Sequence, residues 1–382
     1  MQNELYWLWL LSIRGLGAVK QNILLREWGT AGQLYHETAE RIEQFMKKEK
    51  IFQAKDFQEF CRSKQDMGKC RQELNLLRAQ GVEIISREQA DYPSRLTEMI
   101  DGPPVVFAKG NWQTSKINSG PVLAVVGTRR ITAYGREVAA TIGKFCAEFG
   151  ITLVSGMAAG VDGTAQRSCL KHGGYSIGVL ASGLAHQFPA GNRDLYLDME
   201  KQGVLISEEW YQTPPLANLF PKRNRIISGL AEAVIVVEAA DKSGSLITAD
   251  YALEQGRDIY AVPGRIGDRQ SVGCNHLIGQ GAYILENIEK FFADLSGGSQ
   301  RTKPCQKNLA ENLEPVEKIL YQQIGTEPVY IGRLLEYTGL EQGEVQLCLL
   351  QLEWKGYIEQ ISAGYYVALP QIEQVPFPKS KP

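Results

Sequence analysis

Leu123-Ala124-Val125-Val126-Gly127-Thr128-Arg129-Arg130, followed after residues 134–149 by Thr152-Leu153-Val154-Ser155-Gly156-Met157-Ala158-Ala159-Gly160-Val161-Asp162-Gly163, is the stretch whose reading decides the fold. Each half is a short apolar run broken by glycine, and the intervening residues have helical character, so the order is strand, turn, helix, strand. The runs do not alternate with polar residues, which predicts strands covered by helices on both faces. Working outward, comparable strands are expected at 82–86, 105–108, 176–180, 204–207, 234–238 and 258–262, with helices at 163–172 and 245–255. Repetition of this unit predicts an α/β domain over residues 81–295: a Rossmann-like, doubly wound, mainly parallel sheet.

The flanks read differently. Over residues 1–80, Leu5, Leu8, Trp9 and Leu11 precede Gly15-Leu16-Gly17, and Ile23, Leu24, Leu25 and Trp28 follow it, predicting a helical domain of SAM-like or helix-hairpin-helix type. Its glycine turn either aims backbone amides at a nucleic-acid phosphate or simply reverses the chain. Residues 47–69 are charged and poorly periodic and read as a solvated helix and connector. Residues 296–313 are a polar linker. Residues 314–370 have a winged-helix outline, with helices at 316–324, 331–338 and 343–354 and two strands around Ser362-Ala363-Gly364; a tail, 371–382, follows.

A chain of 382 residues exceeds what one core organises, and 44% hydrophobic with 22% charged residues is the balance of a soluble globular protein. No run approaches the roughly 18 apolar residues of a membrane span. The apolar start from Leu5 to Ile13 follows Glu4, lacks a basic preface and a small-residue cleavage site, and reads as a packed helix rather than a signal peptide. The seven cysteines are scattered with no C-x-x-C pair, which argues against zinc and a disulfide framework and for a reducing cytoplasm. With a net charge of −2, nucleic-acid affinity requires a local basic patch.

Open α/β sheets bind ligands beyond the carboxyl ends of their strands. Three turns there suit phosphate: Gly127-Thr128-Arg129, the small residues from Ser155 and Gly156 to Gly160, and Lys242-Ser243-Gly244-Ser245. Glycine-rich turns of this kind also serve plain packing. A fourth segment, Phe220-Pro221-Lys222-Arg223-Asn224-Arg225, is either a solvated basic turn or a polyanion contact; its position after a strand and beside aromatics favours the contact. Arg129, Arg223 and Arg225 are therefore expected to converge along one rim. A dinucleotide cofactor is not expected, because G-x-G-x-x-G is missing and Ser155 stands where the ribose-binding carboxylate belongs. His36, His172, His186 and His276 lack metal-ligand spacing, and no G-x-S-x-G elbow occurs. Asp162, Glu208, Glu209 and Glu238 read as helix caps or counter-ions of buried arginines, Asp162 beside Arg129 or Arg225.

Taken together, Val125-Val126-Gly127-Thr128-Arg129, Ser155-Gly156-Met157-Ala158-Ala159-Gly160-Val161-Asp162, Phe220-Pro221-Lys222-Arg223-Asn224-Arg225-Ile226-Ile227-Ser228-Gly229-Leu230, Ser243-Gly244-Ser245-Leu246-Ile247-Thr248-Ala249 and Ala261-Val262-Pro263-Gly264 resemble the DNA-processing protein A family, DprA or Smf. The resemblance implies a non-enzymatic recombination mediator that binds and shields incoming single-stranded DNA in natural transformation, helps load the RecA recombinase, and forms a homodimer through the Rossmann-like domain. It makes Arg129 the DNA-gripping arginine, with Lys222, Arg223 and Arg225 the basic turn. Where the family reads G-L-D-x-x-Y-P and often lysine, this chain has Gly183-Leu184-Ala185-His186-Gln187-Phe188-Pro189-Ala190; an acid, a tyrosine and a basic contact are replaced, while Phe188 keeps an aromatic face. A phosphoribohydrolase-like enzyme is the competing reading of the fold, but its P-G-G-x-G-T-x-x-E motif is replaced by Glu238-Ala239-Ala240-Asp241-Lys242-Ser243-Gly244-Ser245. A duplex-DNA regulator acting through the winged helix is the other. Its expected recognition helix carries Glu341, Glu344 and Glu353 and no basic residue before Lys355, which favours a protein contact.

Overall fold

The structure is a computed structural model that describes residues 2–295, 315–324, 329–338, 340, 342–355, 357–362 and 364–368. The expected linker 296–313 and tail 371–382, together with Glu341 and Ala363, lie outside the described residues.

Nine strands in one sheet follow from apolar runs of four to six residues ending at turns: β1 (Glu83–Ser86), β2 (Val105–Gly110), β3 (Val122–Val126), β4 (Thr152–Ser155), β5 (Ser176–Val179), β6 (Val204–Ser207), β7 (Ala233–Val236), β8 (Asp258–Ala261) and the two-residue β9 (Tyr283–Ile284). Their order is β1-β2-β6-β5-β4-β3-β7-β8-β9. From β6 to β9 every pairing is parallel, and β1 and β2 join antiparallel at one edge. β9 was not expected from the sequence, since two residues carry no periodicity.

Helices fill the connections: α1 (Gln2–Ser12), α2 (Ala18–Trp28), α3 (Ala31–His36), α4 (Ala39–Lys48), α5 (Ala54–Ser63), α6 (Gly68–Ala79), α7 (Ser94–Thr97), α8 (Ala133–Glu148), α9 (Val161–Lys171), α10 (Arg193–Gln202), α11 (Leu219–Leu230), α12 (Gly244–Glu254), α13 (Val272–Gly279) and α14 (Ile288–Leu295). Successive residues of β3 point to opposite faces. Leu123 and Val125 pack with Ala139 and Ile142 of α8 and Val161 and Ala165 of α9, while Val122, Ala124 and Val126 pack with Ile226, Ile227 and Leu230 of α11 and Ala249 and Ala252 of α12. β3 and β7 are neighbours whose following helices, α8 and α12, cover opposite faces, so a crevice opens between their carboxyl ends.

The chain divides into two compact units, residues 1–303 and 304–382. Within the first, the helical start shares a core with the sheet: Trp7, Leu8, Trp9 and Leu10 belong to one apolar cluster with Phe107, Met199 and Leu205. The charged stretch 47–69 contains the expected helix, but that helix is not merely solvated. It is α5, whose Phe60 is fully buried and whose buried Asp56 carboxylate takes the Lys20 ammonium at 2.6 Å, because two apolar residues suffice to anchor a short amphipathic helix.

The second unit contains α15 (Pro315–Gln323), β10 (Val329–Tyr330), α16 (Ile331–Thr338), α17 (Gln342–Trp354), β11 (Ile358–Ser362) and β12 (Tyr365–Ala368), with strands ordered β10-β12-β11, all antiparallel, around Leu320, Leu334, Leu349 and Ile358. This is a winged helix. Among the described residues no helix is long and apolar enough to cross a membrane.

Candidate nucleic-acid interface

The crevice is built first by the turn after β3. A Cβ on Gly127 would lie 2.6 Å from Val161 Cγ2 and 3.0 Å from the Glu238 carbonyl, so this tight passage requires glycine. The Thr128 amide donates to the Glu238 carbonyl at 2.7 Å, and the Thr128 hydroxyl accepts from the Arg130 amide at 3.1 Å. With its backbone fixed in this way, the turn projects Arg129 and Arg130 into solvent. The Arg129 guanidinium sits 5.2 Å from the centre of the Phe220 ring, and neither arginine has an ion pair among the described residues.

The opposite wall is the start of α12. The Ser243 hydroxyl caps it, lying 3.4 Å from the Ser245 amide and 2.8 Å from the Ser245 hydroxyl; Asn224 of α11 donates to the Gly244 carbonyl at 3.2 Å. Lys242 is exposed at this end. The resulting cleft has a volume of about 430 Å³ and is bordered by Arg129, Arg130, Phe220, Asn224, Ser245 and Arg269, among others. Arg269 was not singled out from the sequence. The rule of inspecting the residues after each strand, applied to the loop after β8, would have found it.

The turn after β4 is arranged otherwise than expected. Its amides are already engaged: Gly156 donates to Asp162 Oδ2 at 3.1 Å, Met157 to Gln166 Oε1 at 3.3 Å, and Val161 to the Thr128 carbonyl at 3.2 Å. Asp162 is thus an internal anion seated where a phosphate was anticipated. Burial raises its carboxyl above the usual range, against the pull of the Arg223 guanidinium. Its counter-ion is Arg223 rather than Arg129 or Arg225. Ser155 is fully buried and donates to the Val125 carbonyl at 2.6 Å; Gly160, at φ +83°, passes so close that a Cβ would lie 2.3 Å from the Thr128 carbonyl. Ser155, Gly156 and Gly160 therefore support the site from below, and Ala158 and Asp162 are what this turn exposes to the cleft.

The basic segment also divides, because it is helical. α11 places Phe220, Asn224 and Ile227 on the cleft side, one turn apart, and turns Lys222 and Arg225 away. Lys222 pairs with Glu209 at 2.8 Å and Glu208 at 3.5 Å. Arg225 is buried, its Nε 3.0 Å from Asp101 and its Nη2 2.7 Å from Glu208. Arg223 borders the cleft but is 5% exposed, donating to the carbonyls of Gly156, at 2.8 Å, and Val179. Burial pushes it down to about 10, with Asp162 opposing. Of the expected convergence of Arg129, Arg223 and Arg225, the first two do border the cleft, Arg223 with its donors spent inside the protein, while Arg225 lies elsewhere; the exposed cations bordering the cleft are Arg129, Arg130 and Arg269, with Lys242 exposed next to Ser243. Glu238 likewise is a cap, accepting from the Thr132 amide at 3.0 Å and from the Thr132 hydroxyl, which itself accepts from the Gly135 amide at 3.1 Å at the start of α8. Phe188, 44% exposed, meets Phe220 edge-on with ring centres 5.8 Å apart and extends the aromatic wall.

Residues 83–296 match the DNA recombination-mediator protein A family, and residues 305–364 match the DprA winged helix domain. The chain is 43% identical over 222 residues to the DNA processing protein DprA of Bacillus subtilis (strain 168), covering 58% of this chain and 74% of that protein. It is 37% identical over 292 residues to Protein Smf of Escherichia coli (strain K12), covering 74% and 76%. In three dimensions it is similar to the X-ray structure of DprA from Streptococcus pneumoniae, with a TM-score of 0.65, 31% identity and coverage of 76% and 97%. It is also similar to DprA from Helicobacter pylori, whose structure concerns a single-stranded DNA binding mode; there the TM-score is 0.52, the identity 27% and the coverage 57% and 96%.

Proposed function

The chain belongs to the DNA recombination-mediator protein A family, and from that footing we propose that its cleft binds single-stranded DNA, as a mediator that shields incoming DNA in natural transformation. The observation that carries the reading is Arg129: an exposed guanidinium without an ion pair, lying over the Phe220 ring at the carboxyl edge of β3. Arg130 and Arg269 border the same opening and Lys242 is exposed next to the bordering Ser243, supplying charge for successive phosphates. Phe220 and Phe188 offer faces to bases that a duplex keeps stacked inside, which favours a single strand.

The test is fluorescence anisotropy with a labelled oligothymidylate at two salt concentrations. Arg129→Ala and Arg269→Ala are each expected to lower affinity about tenfold and to reduce the slope of log K against log salt by about 0.7, the worth of one single-strand phosphate contact. Isotherms unchanged in both variants would remove the proposal. Arg223→Ala is unsuitable here, because it strips a buried counter-ion from Asp162.

The protein acts without catalysis in this reading. Support comes from the acidic side chains near the cleft: Asp162, Glu208, Glu209 and Glu238 are each engaged in a cap, an ion pair or backbone hydrogen bonds. Incubation with nucleoside monophosphates is expected to release no base by chromatography. We further infer a cytoplasmic homodimer that passes its strand to RecA. Support for the dimer is β9, an edge strand whose Tyr283 and Ile284 are half exposed. Light scattering should give twice the chain mass, and Tyr283→Glu should halve it. Support for RecA transfer is family membership, and faster RecA filament growth on a strand coated with this protein is the expected result.

A further inference from the structure

The loop after β8 separates the cleft from a second hollow. Arg269 and Gln270 border the cleft, whereas Gly264, Arg265, Asp268 and Ser271 of the same loop border a hollow of about 620 Å³ closed by Thr132, Ala133 and Tyr134 at the start of α8. On the other side Arg130 borders the cleft and Thr132, two residues on, borders the hollow. Two segments thus run from one depression into the next.

In the same loop Ile266 is 100% exposed, between Arg265 and Arg269 in sequence, both exposed and without an ion pair among the described residues. A branched aliphatic side chain wholly in water has no packing role in the monomer, and the flanking guanidiniums supply bidentate donors for a phosphate chain. Inside the hollow Tyr134 is 50% exposed, its hydroxyl 3.3 Å from the Pro263 carbonyl, which tethers the ring to the same loop. Asp268 is the opposing charge in the lining; Glu238, beneath the start of α8, is committed to Thr132.

We propose that this hollow receives the nucleotides of a single strand leaving the cleft, with Ile266 wedged between two bases, Tyr134 stacking on the next and Arg265 holding the intervening phosphate. The inference rests on the cleft's reading as a single-strand site and extends it by a second, aromatic subsite. Apolar wedges of this kind unstack neighbouring bases, and an aromatic partner restores stacking to the base displaced.

The experiment uses the full chain and oligothymidylates of increasing length, from about 4 to about 16 nucleotides. Ile266→Ala and Tyr134→Ala should bind the shortest strands like the parent and lose about tenfold in affinity on the longest, the worth of one stacked base. A 2-aminopurine walked along the long strand should brighten at one position with the parent and not with Ile266→Ala. Equal binding of long strands by parent and variants overturns the subsite, as does an equal loss at every length. Arg129→Ala must weaken strands of all lengths, so failure of the cleft and failure of the hollow give different patterns. A change in molecular mass with unchanged DNA binding would reassign Ile266 to contacts between copies of the chain and overturn the proposal.

Discussion

Arg129, Arg223 and Arg225 have the same side chain and three different physical fates. Arg129 keeps its charge in water over an aromatic face; Arg223 spends its donors on two carbonyls beside a buried carboxylate; Arg225 neutralises Asp101 and Glu208. Substitutions should separate them. Arg223→Met is expected to cost about 3 kcal/mol, because it leaves Asp162 buried without a counter-ion. The measurement is the urea midpoint, and loss of stability with single-strand affinity retained in the folded fraction is the expected pattern. Arg225→Ala should behave alike through the stranded Glu208, whereas Arg129→Ala should leave the midpoint within about 0.5 kcal/mol of the parent. Nothing in Phe220-Pro221-Lys222-Arg223-Asn224-Arg225 taken as a string separates these roles, since burial is a property of what packs against the helix.

Helix starts carry the next level of organisation. Thr132 caps α8 while its amide and hydroxyl hold the buried Glu238, so Thr132→Ala removes a cap and a carboxylate partner together. A loss of about 2 kcal/mol is expected by thermal or denaturant unfolding, with Thr132→Ser restoring most of it. In the helical start, burial raises the Asp56 carboxyl, but the Lys20 ammonium and the Gln53 amide, at 2.6 and 2.7 Å, outweigh it and carry the group below the ordinary value of 3.8. A carboxylate depressed in the fold contributes stability that is fully present above its unfolded value and is lost as pH falls through the folded one. Stability should therefore drop below about pH 4, and Asp56→Asn should flatten that slope while lowering stability at neutral pH. A parallel acid limb in the variant would show that other carboxylates dominate.

At the scale of the molecule, charge separates the two units. Between residues 315 and 368 the sequence holds Glu317, Glu327, Glu336, Glu341, Glu344, Glu353 and Glu359 against Lys318, Arg333 and Lys355, a net of −4. A polyanion is repelled by such a module, so a protein ending at Lys303 is expected to bind single strands within about twofold of the full chain and with the same salt slope. A large loss in that anisotropy comparison would instead place strand contacts in the winged helix. The sequence by itself determined the α/β class, the positions of β1 to β8, the winged helix and the turns that edge the cleft, because apolar period and glycine placement are local properties of the chain. It also carried the family resemblance. The tertiary structure alone decided which of the basic residues remain available to a ligand, that Asp162 occupies the seat in the β4 turn, and that the loop holding Arg265, Ile266 and Arg269 reaches the same rim. Those outcomes depend on contacts between residues far apart in the chain: a charge is exposed or spent according to whether folding brings an acid or a carbonyl within hydrogen-bonding distance, and sequence spacing does not encode that distance.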